Sequence, residues 1–344
     1  MKFSPLDRIQ LLYKNFTVAR NNPPLTKLQN ISNPKEFSLA ILPYVSRTFS
    51  LFISLLPKQT VLPCTVSYLY CRILDTYEDL NHIVNKDRVM LLQGVPRHLR
   101  GRNLIVPPAQ TSPSPEDQAS LLLIEKSNLV REAFFTLPRQ PQASIIRLIT
   151  TMSEGMCWNI NVFEKNHGCL TTPAELQQYC YNVAGCVGEF LDELFQWHYN
   201  NEIIMNKEHT NVCAHLGEIL QMVNMAKDIE KDFTEGRVYE PHLGQAISRN
   251  GTHDLTNEHI HQARQKFVGY VRHLFKDIPH YLSFHHYRRV SLGRGAILFP
   301  FIMAHHIYKT MENNTYSPKN NKKILLTSLN KSILAMFGKK ARFV

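Results

Sequence analysis

The chain has 344 residues, 44% of them hydrophobic and 19% charged, a globular composition with ample apolar material for a core, which excludes a disordered or collagen-like chain. Its 39 Lys and Arg against 28 Asp and Glu give a formal charge of +11, so the expected partners are anions such as phosphorylated substrates or acidic lipid. No nucleic-acid fold signature accompanies that charge, and nucleic acid is not an expected partner.

The 7 Cys form an odd set without a CxxC pair and read as reduced thiols of an intracellular protein. Residues 1–16 lack a continuous apolar stretch, so no secretory signal is expected. The longest uncharged apolar stretch, Gly295 to Ala304, falls far short of the ~20 residues that span a bilayer. The expected location is cytoplasmic, with peripheral contact on the inner face of a membrane.

Residues 1–35 are punctuated by Pro and Asn and read as an arm with one short helix. From Glu36 to His82 the pattern is helical, with breaks expected at Pro57 and Pro63. Residues 94–118 hold five Pro together with Gly and Ser and mark a loop. Helical periodicity resumes near Ala119 and continues to about Ile229, broken at Pro138, Pro141 and Pro173. Gly236 to Pro241 is another break, and helices run again from Asn257 to Asn313. No repeat and no strand alternation is found, so the expectation is an all-α chain with a single helical domain over 36–313. The tail, 314–344, carries seven Lys/Arg from Lys319 onward and no acid, interleaved with Ile324, Leu329, Ile333 and Phe337. It reads as a basic amphipathic segment for an anionic membrane, or as a terminal helix packed on the core.

Two stretches carry chemistry. In the first, Tyr68, Arg72, Asp75, Glu78 and Asp79 follow an apolar helix, and Asp75 and Asp79 stand one turn apart on one face. Two carboxylates so placed repel unless a cation compensates them, and hard oxygens on a rigid helix suit Mg2+ with phosphate oxygens. In the second, Asn224, Asp228 and Asp232 recur every four residues, with Gln221 on the same stripe and Arg237 in the turn beyond. Either stretch alone equally describes an ordinary helix end, its acids neutralised by Arg72 or by Lys227 and Lys231. Two in one chain, each apolar up to its acids and each with an Arg nearby, suit the ionisation of an allylic diphosphate, where metals and Arg stabilise the departing pyrophosphate.

Four segments in order resemble the squalene/phytoene synthase family: Val45-Ser46-Arg47-Thr48-Phe49, Tyr68 to Asp79, Tyr179 to Gly188, and Gln221 to Pro241. The resemblance implies a helical bundle of the isoprenoid synthase type with a central apolar cavity. It implies that Asp75, Glu78, Asp79, Asn224, Asp228 and Asp232 bind Mg2+ (Mn2+ as an alternative) and diphosphate. Ser46, Arg47, Arg72, Gln221, Lys227 and Arg237 then match diphosphate-holding positions. Tyr179 matches an acid/base tyrosine of the first half-reaction and Tyr68 an aromatic at the reaction centre. Phe49 and the run from Val183 to Gly188 match walls of a prenyl channel. Without the family, Tyr179 reads as a buried tyrosine with a satisfied hydroxyl. Lys227, Lys231 and Glu240 depart from the family pattern, and Glu240 stands where an apolar or aromatic residue is usual.

Asp75-Thr76-Tyr77-Glu78-Asp79 is closer to squalene synthases than to phytoene synthases, and with no membrane-spanning anchor expected the chain resembles the shorter bacterial type. The implied reaction joins two farnesyl diphosphates to presqualene diphosphate and reduces it with NADPH to squalene, with no obligate protein partner. Presqualene diphosphate, dehydrosqualene or phytoene are the same-family alternatives, and a non-catalytic assembly factor is the alternative of another class. No Rossmann glycine motif is present. The basic cluster from His285 to Arg294 is either a solvated face or one leaning toward diphosphate or NADPH.

Overall fold

The computed structural model describes residues 13, 15–18, 21, 23–46, 48–107, 114–199, 207–250, 256–284, 292–313, 324 and 327–328. Arg47, the cluster at 285–291 and most of the tail lie outside them. Fourteen helices are named here in order: α1 Thr26–Gln29, α2 Pro34–Ser46, α3 Thr48–Leu55, α4 Lys58–Glu78, α5 Asn85–His98, α6 Pro115–Glu125, α7 Ser127–Phe135, α8 Arg139–Lys165, α9 Pro173–Cys180, α10 Cys186–His198, α11 Lys207–Thr234, α12 Pro241–Asn250, α13 Asn257–Phe284 and α14 Leu292–Glu312. A π-helical turn, Tyr181–Gly185, joins α9 to α10. Among the described residues there is no strand, only a lone bridge between Cys169 and Val238; the all-α expectation holds. No described helix is long and apolar enough to cross a membrane. All seven cysteines are free thiols.

Contacts divide the chain into two compact units, Met1–Cys157 with Glu193–Glu202, and Trp158–Asp192 with Ile203–Val344. In the first, α2 packs against α7, α4, α3 and α6, and α4 against α5. Phe37, Ile41 and Val45 on α2, and Val66, Leu69, Tyr70, Ile73, Leu74 and Tyr77 on α4, are fully buried. Their three- and four-residue spacing makes one apolar stripe per helix, each large side chain contributing about 1.5–3 kcal/mol. That burial overrides the expected break at Pro63, which lies inside α4, as Pro43 lies inside α2. The loop expected at 94–118 is shorter. Gly94 and Pro96 belong to α5, and α6 starts at Pro115, where Ser114 and Asp117 form a reciprocal capping box that favours Pro in the first turn.

In the second unit α11 packs against α13, the π-turn, α14 and α9. Its core runs through Leu176, Tyr179, Ile219, Val223, Ala226, Phe267, Val271 and Ile307. Ile324 joins this core, and Ser328 is buried against His306 Nδ1 at 2.9 Å, so the described tail residues take the core-packing alternative. Glycines decide how closely the helices meet. A Cβ at Gly188 would lie 2.0 Å from the Cys213 carbonyl oxygen, and one at Gly217 would lie 2.2 Å from that of Ala184. The small residues at 185 and 188 therefore serve backbone contact with α11, a different use from the room for a prenyl chain that the resemblance implies.

Gly188→Ala should consequently destabilise the protein by about 1–3 kcal/mol, the usual cost of overpacking, read as a lowered denaturant midpoint. An unchanged midpoint would show that α10 and α11 separate freely there.

Candidate functional site

In the first unit the chemistry gathers at the acidic end of α4. Arg72 donates from Nε to the Val45 carbonyl at 2.8 Å and from Nη1 to Asp75 Oδ2 at 2.6 Å. One guanidinium thus ties the end of α2 to the first aspartate. Beside Val45, the Ser46 hydroxyl is buried with no hydrogen-bond partner among the described residues, an unmet bonding capacity that calls for one. The Phe49 and Tyr68 rings lie 5.5 Å apart. Burial keeps the Tyr68 phenol above its ordinary range, against Arg72, which also hydrogen-bonds it. Asp75 is half-exposed and Asp79 exposed, so both carboxylates can reach a ligand. Glu78 differs: it is buried, and after burial its charge is the largest influence pushing the Cys157 thiol up to about 11. The structure sets it apart from the two aspartates with which it was grouped.

The second unit builds its chemistry around the end of α11. Asn224 is exposed, and Gln221, Lys227, Asp228 and Asp232 are half-buried. Lys227 Nζ pairs with Asp228 Oδ2 at 2.9 Å, while Lys231 pairs with Glu235 at 3.4 Å. The helix ends in a Schellman turn: Arg237 N–H donates to the Asp232 carbonyl at 2.8 Å and Gly236 N–H to that of Phe233 at 3.0 Å. Gly236 takes φ +75° there, a conformation glycine adopts without a Cβ penalty. The turn folds Arg237 back toward Asp232. Burial and the Asp228 charge still push the Asp232 carboxyl up to about 7, against the pull of Arg237 and Lys231. Burial penalises charge and a like neighbour adds to the penalty, so this pair is short of positive charge and fits a divalent cation. Among the described residues, no three His, Cys, Asp or Glu converge as a ready-made cage; the open coordination that Mg2+ keeps for water and phosphate does not require one.

Residue Val238 links this turn to the segment before α9. Leu170 N–H donates to its carbonyl at 2.8 Å, and its own N–H donates to the Gly168 carbonyl at 2.9 Å. The next residue, Tyr239, thereby meets Tyr179: Tyr179 donates to the Tyr239 hydroxyl at 3.2 Å, with ring centroids 4.8 Å apart. Phe163 completes the cluster, its ring 5.9 Å from that of Tyr179 and 5.6 Å from that of Tyr239. Arg237 also hydrogen-bonds Tyr239, yet burial holds this phenol well above its ordinary range. Val183 packs on the same core.

Tyr239 and Phe163 were not among the sequence candidates. No periodicity connects positions 60 and 76 residues apart in the chain; the only available signal was Tyr239 lying two residues past a candidate Arg. Glu240 gains an account. It is buried, caps α12 by accepting from Leu243 N–H at 2.8 Å, and is approached by Tyr270 Oη at 3.4 Å and Lys266 Nζ at 3.8 Å. A carboxylate before Pro241 is a helix cap, with a tyrosine and a lysine of α13 sharing its charge.

Comparison with known proteins agrees with this geometry. The squalene/phytoene synthase family profile matches residues 42–328. The "Botryococcus squalene synthase" of Botryococcus braunii is 28% identical over 233 residues, 66% of this chain and 44% of that protein. A "probable squalene synthase" of Neurospora crassa is 30% identical over 198 residues, covering 57% and 40%. The chain spans less than half the length of these curated relatives. Among solved structures, TcSQS with the ligand BPH1237 aligns with a TM-score of 0.67 at 22% identity, covering 89% of this chain and 92% of that one. Squalene synthase HpnC from Alicyclobacillus acidocaldarius aligns at 0.52 and 20% identity, covering 87% and 99%. The fold is that of the isoprenoid synthases.

The raised Asp232 carboxyl has a consequence for stability. An unfolded Asp titrates near ~3.9 and the folded one near about 7. Between these values the native state holds a proton that the unfolded state has released, so stability falls as pH rises. In chelator-containing buffer, Asp232→Asn should match wild type in thermal midpoint near pH ~4 and exceed it increasingly toward pH ~8. A pH-independent difference would contradict the assigned cause.

Proposed function

The chain belongs to the squalene/phytoene synthase family, and we propose that it works as a squalene synthase, joining two farnesyl diphosphates to presqualene diphosphate and reducing this with NADPH to squalene. The observation that carries the reading is in the second unit, where Tyr179 donates to Tyr239 and the Arg237 guanidinium bonds the same Tyr239. The hydroxyl to which this reading gives proton transfer and the cation to which it gives diphosphate binding thus belong to one hydrogen-bonded chain.

Each residue then has a task. Arg72 and the Ser46 hydroxyl hold diphosphate oxygens at the end of α4, and Arg237 and Lys227 hold them at the end of α11. Asp75 and Asp79, and separately Asn224, Asp228 and Asp232, are the groups that would hold Mg2+, which supplies Lewis-acid stabilisation of pyrophosphate charge when bound. Phe49 and Tyr68 in the first unit, and separately Phe163 in the second, offer aromatic surface suited to keeping water from the carbocation left when the C–O bond breaks. As the second farnesyl chain adds and the cyclopropane closes, the proton lost passes through the Tyr179 hydroxyl and ends on the departing pyrophosphate. The second half-reaction needs a hydride, which NADPH would supply when bound.

Asp75→Ala and Asp228→Ala should each lower turnover of farnesyl diphosphate by ~10²-fold or more while the protein stays folded, since such charge stabilisation is worth several kcal/mol. Retention of a tenth of the wild-type rate in either variant would remove that acid from the reaction.

Tyr179→Phe keeps the ring packing and removes the transferable proton. Formation of presqualene diphosphate should fall by ~10²-fold or more, while supplied presqualene diphosphate plus NADPH still gives squalene at an easily measured rate. Equal loss of both half-reactions would make Tyr179 a structural residue. Product masses from wild type with and without NADPH decide the reaction itself: dehydrosqualene or phytoene as the end product in the presence of NADPH would overturn the squalene reading and leave the family standing.

A further inference from the structure

From Arg88 to Pro115 the chain carries four Arg and no acid. Arg88 is used internally, donating to the Glu78 carbonyl at 2.6 Å. The other three, Arg97, Arg100 and Arg102, are exposed at the end of α5 and in the loop beyond it. That loop then exposes Ile105 (56%) and Val106 (47%), and the start of α5 exposes Val84 (65%) and Met90 (50%). On α5 the exposed Lys86, Met90, Gln93 and Arg97 fall at helical spacings of four, three and four residues, one solvent-facing stripe mixing cations with an apolar side chain.

These apolar side chains are displayed by a backbone that is firmly held. The buried His98 ring places Nδ1 2.6 Å from the Arg102 carbonyl, and Arg131 donates to the same oxygen at 3.0 Å. Three residues on, the fully buried Tyr77 donates to the Ile105 carbonyl at 2.7 Å. Two carbonyls of the loop are therefore anchored to buried side chains while the side chains of Ile105 and Val106 face outward. Tyr77 lies in the last turn of α4 and Val84 six residues beyond Glu78, so both apolar groups flank the end of α4 that bears Asp75 and Asp79.

We propose that this face, Val84, Met90 and the segment from Arg97 to Val106, docks the protein on an anionic lipid bilayer. Ile105 and Val106 enter the boundary between headgroups and acyl chains, and the three arginines take lipid phosphates. Charge complementarity carries the choice of partner: the exposed Arg97, Arg100 and Arg102, with Lys86, outnumber the one exposed acid of this face, Asp87, and attract an anionic surface, while aliphatic side chains beside them suit acyl chains. A single-stranded nucleic acid would call for exposed aromatics on which bases stack, and the displayed residues are Ile, Val and Met. The proposal stands apart from the reaction proposed above, because it concerns a surface and not the chemistry.

The test is co-sedimentation of the full chain with vesicles of equal parts phosphatidylglycerol and phosphatidylcholine, and with phosphatidylcholine alone. Wild type should bind the anionic vesicles and release with salt. I105D/V106D should lower the partition coefficient by about tenfold or more at an unchanged thermal midpoint, with I105S/V106S as the milder pair should the first unfold. R97S/R100S/R102S should lose roughly fivefold per arginine and flatten the salt dependence. The full chain carrying K331S/K339S/K340S/R342S keeps this face without most of the tail's charge, and its remaining binding should respond to I105D/V106D in the same way. Wild-type partition in folded variants at 105 and 106, with and without the tail's charge, would overturn the proposal. So would an arginine triple variant that loses binding to an RNA oligonucleotide or an acidic peptide while binding vesicles as wild type does.

Discussion

Carboxylates at the ends of largely buried helices have to find positive charge, and in both units the local backbone is arranged around supplying it. In α4 the supply is intrahelical. Arg72 precedes Asp75 by three residues and reaches it at 2.6 Å, while its Nε draws in the Val45 carbonyl. The guanidinium that neutralises the acid is the same one that positions the end of α2 and, with it, Ser46. In α11 the supply comes from beyond the helix. The Schellman turn at Gly236 reverses the chain so that Arg237 comes back toward Asp232, and the Gly168–Val238 pairing holds the reversed strand of chain in place. Compensation is incomplete there, which is why the Asp232 carboxyl sits near about 7. An acidic end that its own protein leaves short of positive charge is suited to an external cation.

Much of this was legible from residue spacing, because helical geometry turns a three- or four-residue spacing into proximity without reference to the rest of the fold. Arg72 with Asp75, and Asp228 with Asp232, are of that kind, and the apolar stripes of α2 and α4 are another instance. Spacing also misleads where neighbours on one helix diverge: Glu78 adjoins Asp79 in sequence, yet it is buried while Asp79 is exposed. Relations between distant segments had no such signal. The Tyr179–Tyr239 hydrogen bond crosses 60 residues and needs Gly168, which has φ +87° and a Cβ position only 2.3 Å from the Gly236 carbonyl oxygen. Glu240 could be marked as odd but not explained until α13 brought Tyr270 and Lys266 to it. Pro57, Pro138 and Pro173 do stand at helix boundaries, but Pro63 was over-read as a break, since a proline's local penalty of about 3 kcal/mol is smaller than the gain from burying two or more large side chains of the stripe around it.

The same contrast separates the two uses of small residues near Tyr179. A run of Val, Ala and Gly is equally compatible with an open wall and with two backbones in contact. The difference lies in what stands opposite, and opposite Gly188 stands the Cys213 carbonyl. The π-turn at Tyr181–Gly185 belongs to this arrangement: the Cys186 N–H reaches back to the Tyr181 carbonyl, widening the turn where Gly185 and Ala184 meet α11. A widened turn directly after Tyr179 changes the facing of every residue that follows, so α9 and α10 present different faces than a continuous helix would.

The electrostatics of the tyrosine pair also limit how it can move a proton. Tyr239 lies against Arg237, which favours its phenolate, but burial and the nearby Asp232 oppose ionisation more strongly. Tyr239 is therefore a neutral acceptor, and its oxygen is already taken up by the hydrogen Tyr179 donates. A base stored as phenolate at Tyr239 is excluded, since the same groups that enclose the ring penalise its charge. What remains is a neutral pair in which a proton can arrive on one hydroxyl only as another leaves the chain, so transfer through Tyr179 has to be concerted with the appearance of negative charge elsewhere. In the proposed reaction that charge is the departing pyrophosphate, which takes the proton from Tyr179; Arg237, a donor with no acceptor, bonds Tyr239 and carries no proton onward.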